Sequence, residues 1–168
     1  MPMPPIQKLA QLLLAKSSRM ATAESCTGGL LAAQLTALPG ASLWFECALI
    51  TYSNAAKECF LNVSSTTLAT AGAVSEGCVL EMLAGLFTNT QASVGVAISG
   101  IAGPDGGTKD KPVGTVWFAF GIKGQKPVTQ QQHFLGNRET VREAACAFAI
   151  DQLCVLLSCH SRDSGNPL

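Results

Sequence analysis

Apolar and polar residues alternate along the chain with two periods, one typical of helices and one typical of strands. Apolar positions at helical spacing predict a first helix over residues 5–18, and an apolar stretch predicts a short strand over residues 19–23. A second helix is predicted over residues 27–38, where a Pro-Gly pair ends it, and a second strand over residues 43–52. Helices and strands therefore interleave from the start of the chain.

Four more helices follow from caps and apolar spacing. Asn54 is predicted to cap a short helix that carries Lys57 in its first turn, and another brief helix is predicted over residues 66–71. Ser75 is predicted to cap a longer helix with one apolar face. A final amphipathic helix is predicted to begin at residues 136–137.

Three further strands complete the pattern. Residues 94–98 are apolar and small, as in a central strand that is buried on both faces. Residues 113–121 and 128–134 predict a hairpin joined by a glycine turn. The order of these elements predicts an α/β fold, namely a three-layer α/β/α sandwich with a mixed, mostly parallel sheet.

Composition limits the size and setting of the protein. The 168 residues are 48% apolar and 13% charged, which predicts a single globular domain over residues 1–168 with a core over about 5–158. Residues 159–168 are expected to be a disordered tail. No stretch reaches the roughly 18 apolar residues of a membrane span, and the N-terminus lacks the basic start of a signal peptide. We therefore expect a cytoplasmic protein that does not bind membranes.

Charge, cysteine and histidine content remove several classes of function. The formal net charge is zero, so the chain lacks the basic surface by which proteins bind nucleic acid. Seven cysteines, an odd number without a CxxC pair, are typical of small core residues in a reducing compartment. Two isolated histidines without a carboxylate–histidine spacing leave no recognisable metal site. The low charge and high apolar content make a homodimer plausible.

Three polar loops each follow a predicted strand. They cover residues 24–29, 51–57 and 99–108. Ligands of open α/β sheets bind at the carboxyl ends of the strands, so these loops are expected to converge on one site.

The first loop carries a serine, Ser25, with three possible roles: helix cap, anion ligand or nucleophile. As a nucleophile it would have the backbone N–H groups of Cys26, Thr27 and Gly28 nearby to hold an oxyanion, and Gly29 would let a substrate approach the backbone. On these residues alone, capping and catalysis stay equally open. Cys26 is a rival nucleophile, but it lacks a well-placed histidine partner and is interpreted as a packing residue.

The second loop offers a base for such a serine. Tyr52 is the only tyrosine, and Lys57 lies five residues later. A partly desolvated lysine can be neutral enough to deprotonate a serine, although a lone lysine is more often a solvated surface residue. Glu24 is expected either to orient Ser25 or Lys57 or to form a structural salt bridge.

The third loop is rich in glycine but matches neither standard phosphate-binding motif. Its backbone N–H groups could form an anion nest, and a tight crossover loop explains the same pattern. Arg138, at the start of the last helix, could bind a phosphate or carboxylate, whereas Arg142 is expected to be a surface residue or an ion-pair partner. The candidate substrate contacts in this loop are Gly100, Gly103, Gly106 and Thr108.

Five segments together resemble the CinA C-terminal domain family over roughly residues 18–157. They are residues 22–29 (TAESCTGG), 51–57 (TYSNAAK), 72–76 (GAVSE), 99–107 (SGIAGPDGG) and 111–118 (KPVGTVWF). The family includes stand-alone deamidases of nicotinamide mononucleotide, so the resemblance implies hydrolysis to nicotinate mononucleotide and ammonia, with no metal or cofactor. It also implies that larger family members carry an additional N-terminal domain.

The resemblance assigns roles residue by residue. Ser25 would be the nucleophile, Tyr52 and Lys57 its activating partners, and Ser99 and Arg138 substrate contacts. One departure stands in the second predicted strand, where Cys47-Ala48 replaces the arginine and glycine that are common in the family. A nucleotide-binding domain without turnover is therefore the alternative to an amide hydrolase.

Overall fold

The structure, a computed structural model, describes residues 2–159, which contain six α-helices and five β-strands. The helices are α1 Pro5–Ala15, α2 Leu30–Thr36, α3 Asn54–Leu61, α4 Ser65–Thr70, α5 Glu76–Asn89 and α6 Arg138–Cys159. The strands are β1 Met20–Glu24, β2 Phe45–Ile50, β3 Val94–Gly100, β4 Thr115–Ile122 and β5 Val128–His133. The predicted tail lies outside the described residues, except for Cys159 at the end of α6.

The five strands form one mixed sheet in the order β2-β1-β3-β4-β5. β1 pairs in parallel with both β2 and β3, while β4 pairs antiparallel with β3 and β5. Four strands therefore point the same way and only β4 runs against them. This architecture confirms the predicted α/β fold with a mixed, mostly parallel sheet.

The sheet separates two apolar layers because successive side chains of a strand point to opposite faces. On β3, Val94, Val96 and Ile98 face the larger layer, which α1, α2 and α6 complete. Ala97 of the same strand faces the smaller layer, where α5 packs. Helices therefore cover both faces, as the sandwich prediction requires.

Small residues on the α5 face let that helix approach the sheet closely. A methyl group at Gly95 would stand 3.0 Å from Leu83, and one at Gly121 would stand 2.9 Å from the same side chain. Contacts this short require the ends of Leu83 and Phe87 to shift, so the two glycines let α5 lie close to the sheet.

Several element boundaries differ from the prediction for local reasons. α1 ends at Ala15 rather than residue 18, just before Ser17 takes a φ of 49°. α2 begins at Leu30 rather than residue 27, because Gly28 and Gly29 have φ of 57° and 94°, outside the helical range. Ser53, not Asn54, caps α3, where its hydroxyl accepts from the Ala56 N–H at 3.1 Å.

The cap of α5 agrees with the hydroxyl pattern of the sequence. Ser75 caps α5 as predicted, accepting from the Cys78 N–H at 3.2 Å.

Among residues 2–159, none of the helices has the length and apolar composition needed to cross a membrane.

Replacing Leu153 with alanine tests the importance of the α6 layer. Leu153 is fully buried, so we expect Leu153→Ala to lower the free energy of unfolding by about 2–5 kcal/mol, measured by urea denaturation. Leu135 is 80% exposed, and the matched change Leu135→Ala should stay within about 0.5 kcal/mol of the parent. Equal losses from the two changes would contradict the described core.

Candidate active site

A pocket of about 270 Å³ opens at the carboxyl ends of β1, β2 and β3. Ser25 directly follows β1, the segment from Tyr52 to Lys57 follows β2, and the glycine-rich loop follows β3. Nine of the predicted site residues line this pocket: Ser25, Cys26, Tyr52, Lys57, Ser99, Gly100, Gly103, Gly106 and Arg138. The parallel strands therefore bring the three loops together as expected.

Ser25 and Lys57 are in direct contact at the buried end of the pocket. Lys57 Nζ lies 2.9 Å from Ser25 Oγ, within hydrogen-bonding distance. The lysine is 1% exposed and the serine 8% exposed. The Ser25 N–H donates to the Ile98 carbonyl at 3.0 Å, which fixes the serine between β1 and β3. A hydroxyl at the end of β1 and an amine on α3 thus meet in a buried part of the pocket.

Two backbone carbonyls complete the surroundings of the amine. Lys57 Nζ also contacts the carbonyl oxygens of Thr51 at 2.9 Å and Tyr52 at 3.2 Å. A neutral amine has two N–H donors and one lone pair. It can donate to both carbonyls and accept the hydroxyl hydrogen of Ser25, which is the arrangement of a general base.

Burial favours the neutral form of this amine. Desolvation lowers the pKa of Lys57 below its usual value of 10.5, opposed in part by the nearby thiols of Cys78 and Cys26. In residues 2–159 the one salt bridge joins Arg19 and Glu46, so no carboxylate pairs with Lys57 there. The environment therefore makes Lys57 a stronger candidate base than an exposed lysine.

Cys26 is a poor nucleophile in this setting. Burial raises the pKa of its thiol to about 11, although the N–H groups of Cys26 and Thr27 and the charge of Arg142 act in the opposite direction. The thiol therefore stays protonated at neutral pH, whereas the hydroxyl of Ser25 contacts an amine that can take its proton. Its side chain is 6% exposed and belongs to the larger apolar layer, in keeping with a packing role.

Glu24 neither orients Ser25 or Lys57 nor forms a salt bridge within residues 2–159, so both sequence expectations were wrong. Its carboxylate is fully buried and accepts from the Thr22 hydroxyl at 3.0 Å. It also accepts from three backbone N–H groups at the start of α2, those of Gly29, Leu31 and Ala32, at 2.9–3.2 Å. The Glu24 side chain therefore caps α2, because the N-cap residue of that helix is a glycine and has no side chain to do so.

This cap changes which N–H groups remain for an oxyanion. The first N–H groups of α2 point to Glu24, and the Gly28 N–H donates to the Ser25 carbonyl at 3.0 Å. The structure therefore corrects the expectation that Gly28 and the helix start would serve as donors. The N–H groups of Cys26 and Thr27 are the remaining candidates, and both lie close enough to lower the pKa of the pocket-lining Cys26 thiol.

Arg142 occupies a place that the sequence did not predict. Its Nε donates to the Cys26 carbonyl at 3.1 Å, and its NH2 nitrogen donates to the Thr27 carbonyl at 2.8 Å. Neither the surface role nor the ion pair expected from sequence is present. The side chain instead holds the backbone of the turn that follows Ser25.

Tyr52 and Arg138 stand at the open end of the pocket. Arg138 donates to the Tyr52 hydroxyl at 2.8 Å and to the Gly103 carbonyl at 2.9 Å. Tyr52 is 59% exposed, in contrast to Lys57. The phenol is thus hydrogen-bonded to Arg138. Ser25 and Lys57 contact each other directly, so Tyr52 is not needed to connect them.

The remaining predicted substrate contacts divide into two groups. Ser99 is buried and donates to the Ala73 carbonyl at 2.7 Å, so its hydroxyl connects β3 to the segment before α5. Gly29 and Thr108 do not line the pocket. The Gly29 N–H is used by Glu24, and Thr108 is exposed and closes a turn with Lys111 at 2.8 and 3.0 Å.

Six pocket residues were missed as contacts by sequence reasoning. They are Asn54, Ala73, Val74, Ile101, Ala102 and Asp105. Each lies inside one of the segments that carry the family resemblance, which was the available signal. Within residues 2–159, no group of three or more histidine, cysteine, aspartate and glutamate side chains is arranged to hold a metal ion.

Comparison with known proteins agrees with the geometry. The sequence profile of the CinA C-terminal domain matches residues 4–157. The nicotinamide-nucleotide amidohydrolase PncC of Escherichia coli K12 is 47% identical over 147 residues, which are 88% of this chain and 89% of that protein. A CinA-like protein of Syntrophotalea carbinolica is 45% identical over 86% of this chain but only 35% of its own length.

The fold of a solved relative is the same. The crystal structure of a competence-damaged protein (CinA) superfamily protein from Klebsiella pneumoniae 700603 matches with a TM-score of 0.88 and 43% identity. The match covers 92% of this chain and 96% of that one.

Removing the charge of Glu24 tests the cap of α2. A glutamine has one acceptor oxygen for four donors and turns an NH₂ group toward N–H groups, so we expect Glu24→Gln to cost about 2–4 kcal/mol of unfolding free energy. Glu143 is exposed on α6, and Glu143→Gln should change stability by less than about 0.5 kcal/mol. Urea denaturation measures both, and a Glu24→Gln protein as stable as its control would refute the cap.

Proposed function

The chain belongs to the CinA C-terminal domain family, and we propose that it hydrolyses nicotinamide mononucleotide to nicotinate mononucleotide and ammonia. The observation that carries the proposal is the 2.9 Å contact of Lys57 Nζ with Ser25 Oγ at the end of a pocket that also contains Arg138. The relatives called nicotinamide-nucleotide amidohydrolase support the substrate, since the alignment with the E. coli protein spans 88% of this chain. The reaction would serve pyridine-nucleotide salvage.

The first half of the mechanism forms an acyl-enzyme. Ser25 Oγ attacks the carboxamide carbon while its proton passes to the lone pair of Lys57 Nζ. The carbonyl oxygen becomes an oxyanion, for which the N–H groups of Cys26 and Thr27 are the donors. When the C–N bond breaks, the departing nitrogen takes the proton from Lys57 and leaves as ammonia.

The second half releases the acid. A water molecule gives a proton to the neutral Lys57 and attacks the ester carbon. The second tetrahedral intermediate collapses, the bond to Ser25 Oγ breaks, and Lys57 returns the proton to the serine oxygen. Nicotinate mononucleotide leaves, and both side chains regain their starting protonation states.

The pocket sets the direction in which the nucleotide would bind. Its buried end holds Ser25 and Lys57, and its exposed end holds Arg138 and Tyr52. We place the carboxamide at the buried end and the phosphate near the Arg138 guanidinium, whose planar fork suits phosphate oxygens. The backbone of Gly103 and Gly106 also lines the pocket, and both glycines have positive φ, which side chains rarely adopt.

We further propose that the protein works as a cytoplasmic homodimer that does not bind nucleic acid. All seven cysteines are free, which suits a reducing compartment, and the net charge is zero. Leu43 and Ile50 are 67% and 51% exposed beside β2, an edge strand of the described sheet. Apolar side chains at such an edge are suited to contact with a second copy.

The departure from the family pattern lies away from the pocket. Cys47 and Ala48 lie on β2 and pair with Ala21 and Thr22 of β1, and neither lines the site. The alternative of a nucleotide-binding domain without turnover therefore gains no support from the geometry of the site.

Ammonia release from nicotinamide mononucleotide tests the proposed function. We expect the purified protein to release ammonia and nicotinate mononucleotide in equal amounts, detected by enzymatic ammonia assay and by chromatography. Ser25→Ala should lower kcat by about 10³-fold or more, because the loss of a nucleophile removes the acyl-enzyme path.

The matched serine control is Ser93→Ala, at the opposite end of β3, which should keep full activity. Nucleotide binding without ammonia release would overturn the hydrolase in favour of the binding domain. Full activity in Ser25→Ala would refute the nucleophile.

The pH dependence of the rate tests Lys57 as the base. The pKa of Lys57 is lowered in the folded protein, so the neutral fraction, and with it kcat/KM, should rise with pH and level off below pH 10.5. Lys57→Arg, which stays charged, should abolish the rise and lower kcat by at least about 10²-fold. Lys123→Arg, which changes a lysine bonded to the Phe87 carbonyl outside the pocket, should leave the profile intact. A profile that does not change with pH would exclude the base.

A further inference from the structure

Arg142 connects the last helix to the turn that carries the two candidate oxyanion donors. The side chain is partly buried on α6, and its guanidinium donates to two successive carbonyls, those of Cys26 and Thr27. A rigid, planar fork of donors suits this pair of acceptors, because two different nitrogens of one group each bind one carbonyl. The contact thus fixes two neighbouring peptide planes at once.

Fixing a carbonyl also fixes the N–H of the same peptide. In a trans peptide the C=O and N–H bonds point in nearly opposite directions. The Cys26 carbonyl shares its peptide with the Thr27 N–H, so the guanidinium that holds this carbonyl turns the Thr27 N–H away from itself. That N–H lies near the sulfur of Cys26, a side chain that lines the pocket.

We infer that Arg142 is a positioning residue of the oxyanion hole, which it orients through the backbone carbonyls of Cys26 and Thr27. The inference rests on the proposed amide hydrolysis and adds a residue to it. Arg142 touches neither Ser25 nor the pocket, so its effect on the reaction passes through the peptide between Cys26 and Thr27.

The turn needs such support because regular structure does not hold it. It lies between β1 and α2 and contains Gly28 and Gly29, both with positive φ. Glu24 binds the N–H groups on the helix side, and Arg142 binds the carbonyls on the α6 side. The guanidinium charge also polarises the Cys26–Thr27 peptide, which strengthens its N–H as a donor to a negative oxygen.

Two reactions of Ser25 measure the effect of Arg142→Ala. One is ammonia release from nicotinamide mononucleotide. The other is labelling of Ser25 by a fluorophosphonate, whose phosphoryl oxygen needs the same donors but whose reaction does not require the nucleotide. We expect kcat and the labelling rate to fall by about 10–10²-fold, with KM changed less than about threefold, because substrate contacts are untouched.

Arg19→Ala is the matched control. Arg19 also donates to a backbone carbonyl, that of Phe45, but at the other end of the sheet, and its loss should leave both rates unchanged. Added methylguanidine should restore part of both rates in Arg142→Ala, since it can refill the space and bind the two carbonyls. A purely structural role would not respond in this way.

Arg142→Lys covers the case in which the alanine variant fails to fold. With a single flexible nitrogen in place of the planar fork, it should show a smaller loss than Arg142→Ala, about tenfold or less in both rates. Parental rates in either folded variant, or losses that appear in KM alone, would overturn the inference. A parent protein that is labelled but releases no ammonia overturns the proposed substrate, and the labelling rates then decide the role of Arg142. A parent that does neither overturns both.

Discussion

The buried carboxylate of Glu24 is the interaction on which the site depends. A charge without a counter-ion is costly to bury, and here four hydrogen bonds from a hydroxyl and three backbone N–H groups offset that cost. The same bonds attach the start of α2 to the end of β1, with Ser25 in the turn between them. Because the carboxylate occupies the positive end of α2, the N–H groups of Gly29, Leu31 and Ala32 are already bonded there. In the proposed mechanism, the turn itself therefore supplies the donors for the oxyanion.

Two arginines of the last helix also hold parts of the site in place. Arg138 and Arg142 lie one helical turn apart on α6, so they face the same side of it. Arg138 reaches the open end of the pocket, whereas Arg142 reaches the carbonyls of the turn behind Ser25. The apolar residues of α6, which pack into the larger layer, hold both arginines in place. A helix that belongs to the core therefore also aligns the two ends of the site.

The sequence was sufficient to predict contacts that depend on the type of side chain and on the order of the strands. Ser25 and Lys57 were predicted to meet because each follows a parallel strand, and they do meet. Glu24 and Arg142 were misjudged because their partners are backbone groups, and any residue supplies an N–H and a carbonyl. The start of α2 was predicted three residues too early. Gly28 and Gly29 have positive φ, so the helix begins only after them, and the sequence does not reveal this conformation.

The direction of the Glu24 side chain also bears on the chemistry of Lys57. A carboxylate paired with Lys57 would stabilise the ammonium form and remove the base at neutral pH. Glu24 lies next to Ser25 in the chain, yet its oxygens are directed to α2, and the acidic groups that act on Lys57 are the thiols of Cys78 and Cys26. Burial raises the pKa of both thiols to about 11, so they stay neutral at neutral pH and leave the lowered pKa of the lysine in place. The cap that fixes the turn thus also engages the Glu24 carboxylate with α2 instead of with Lys57, the candidate base.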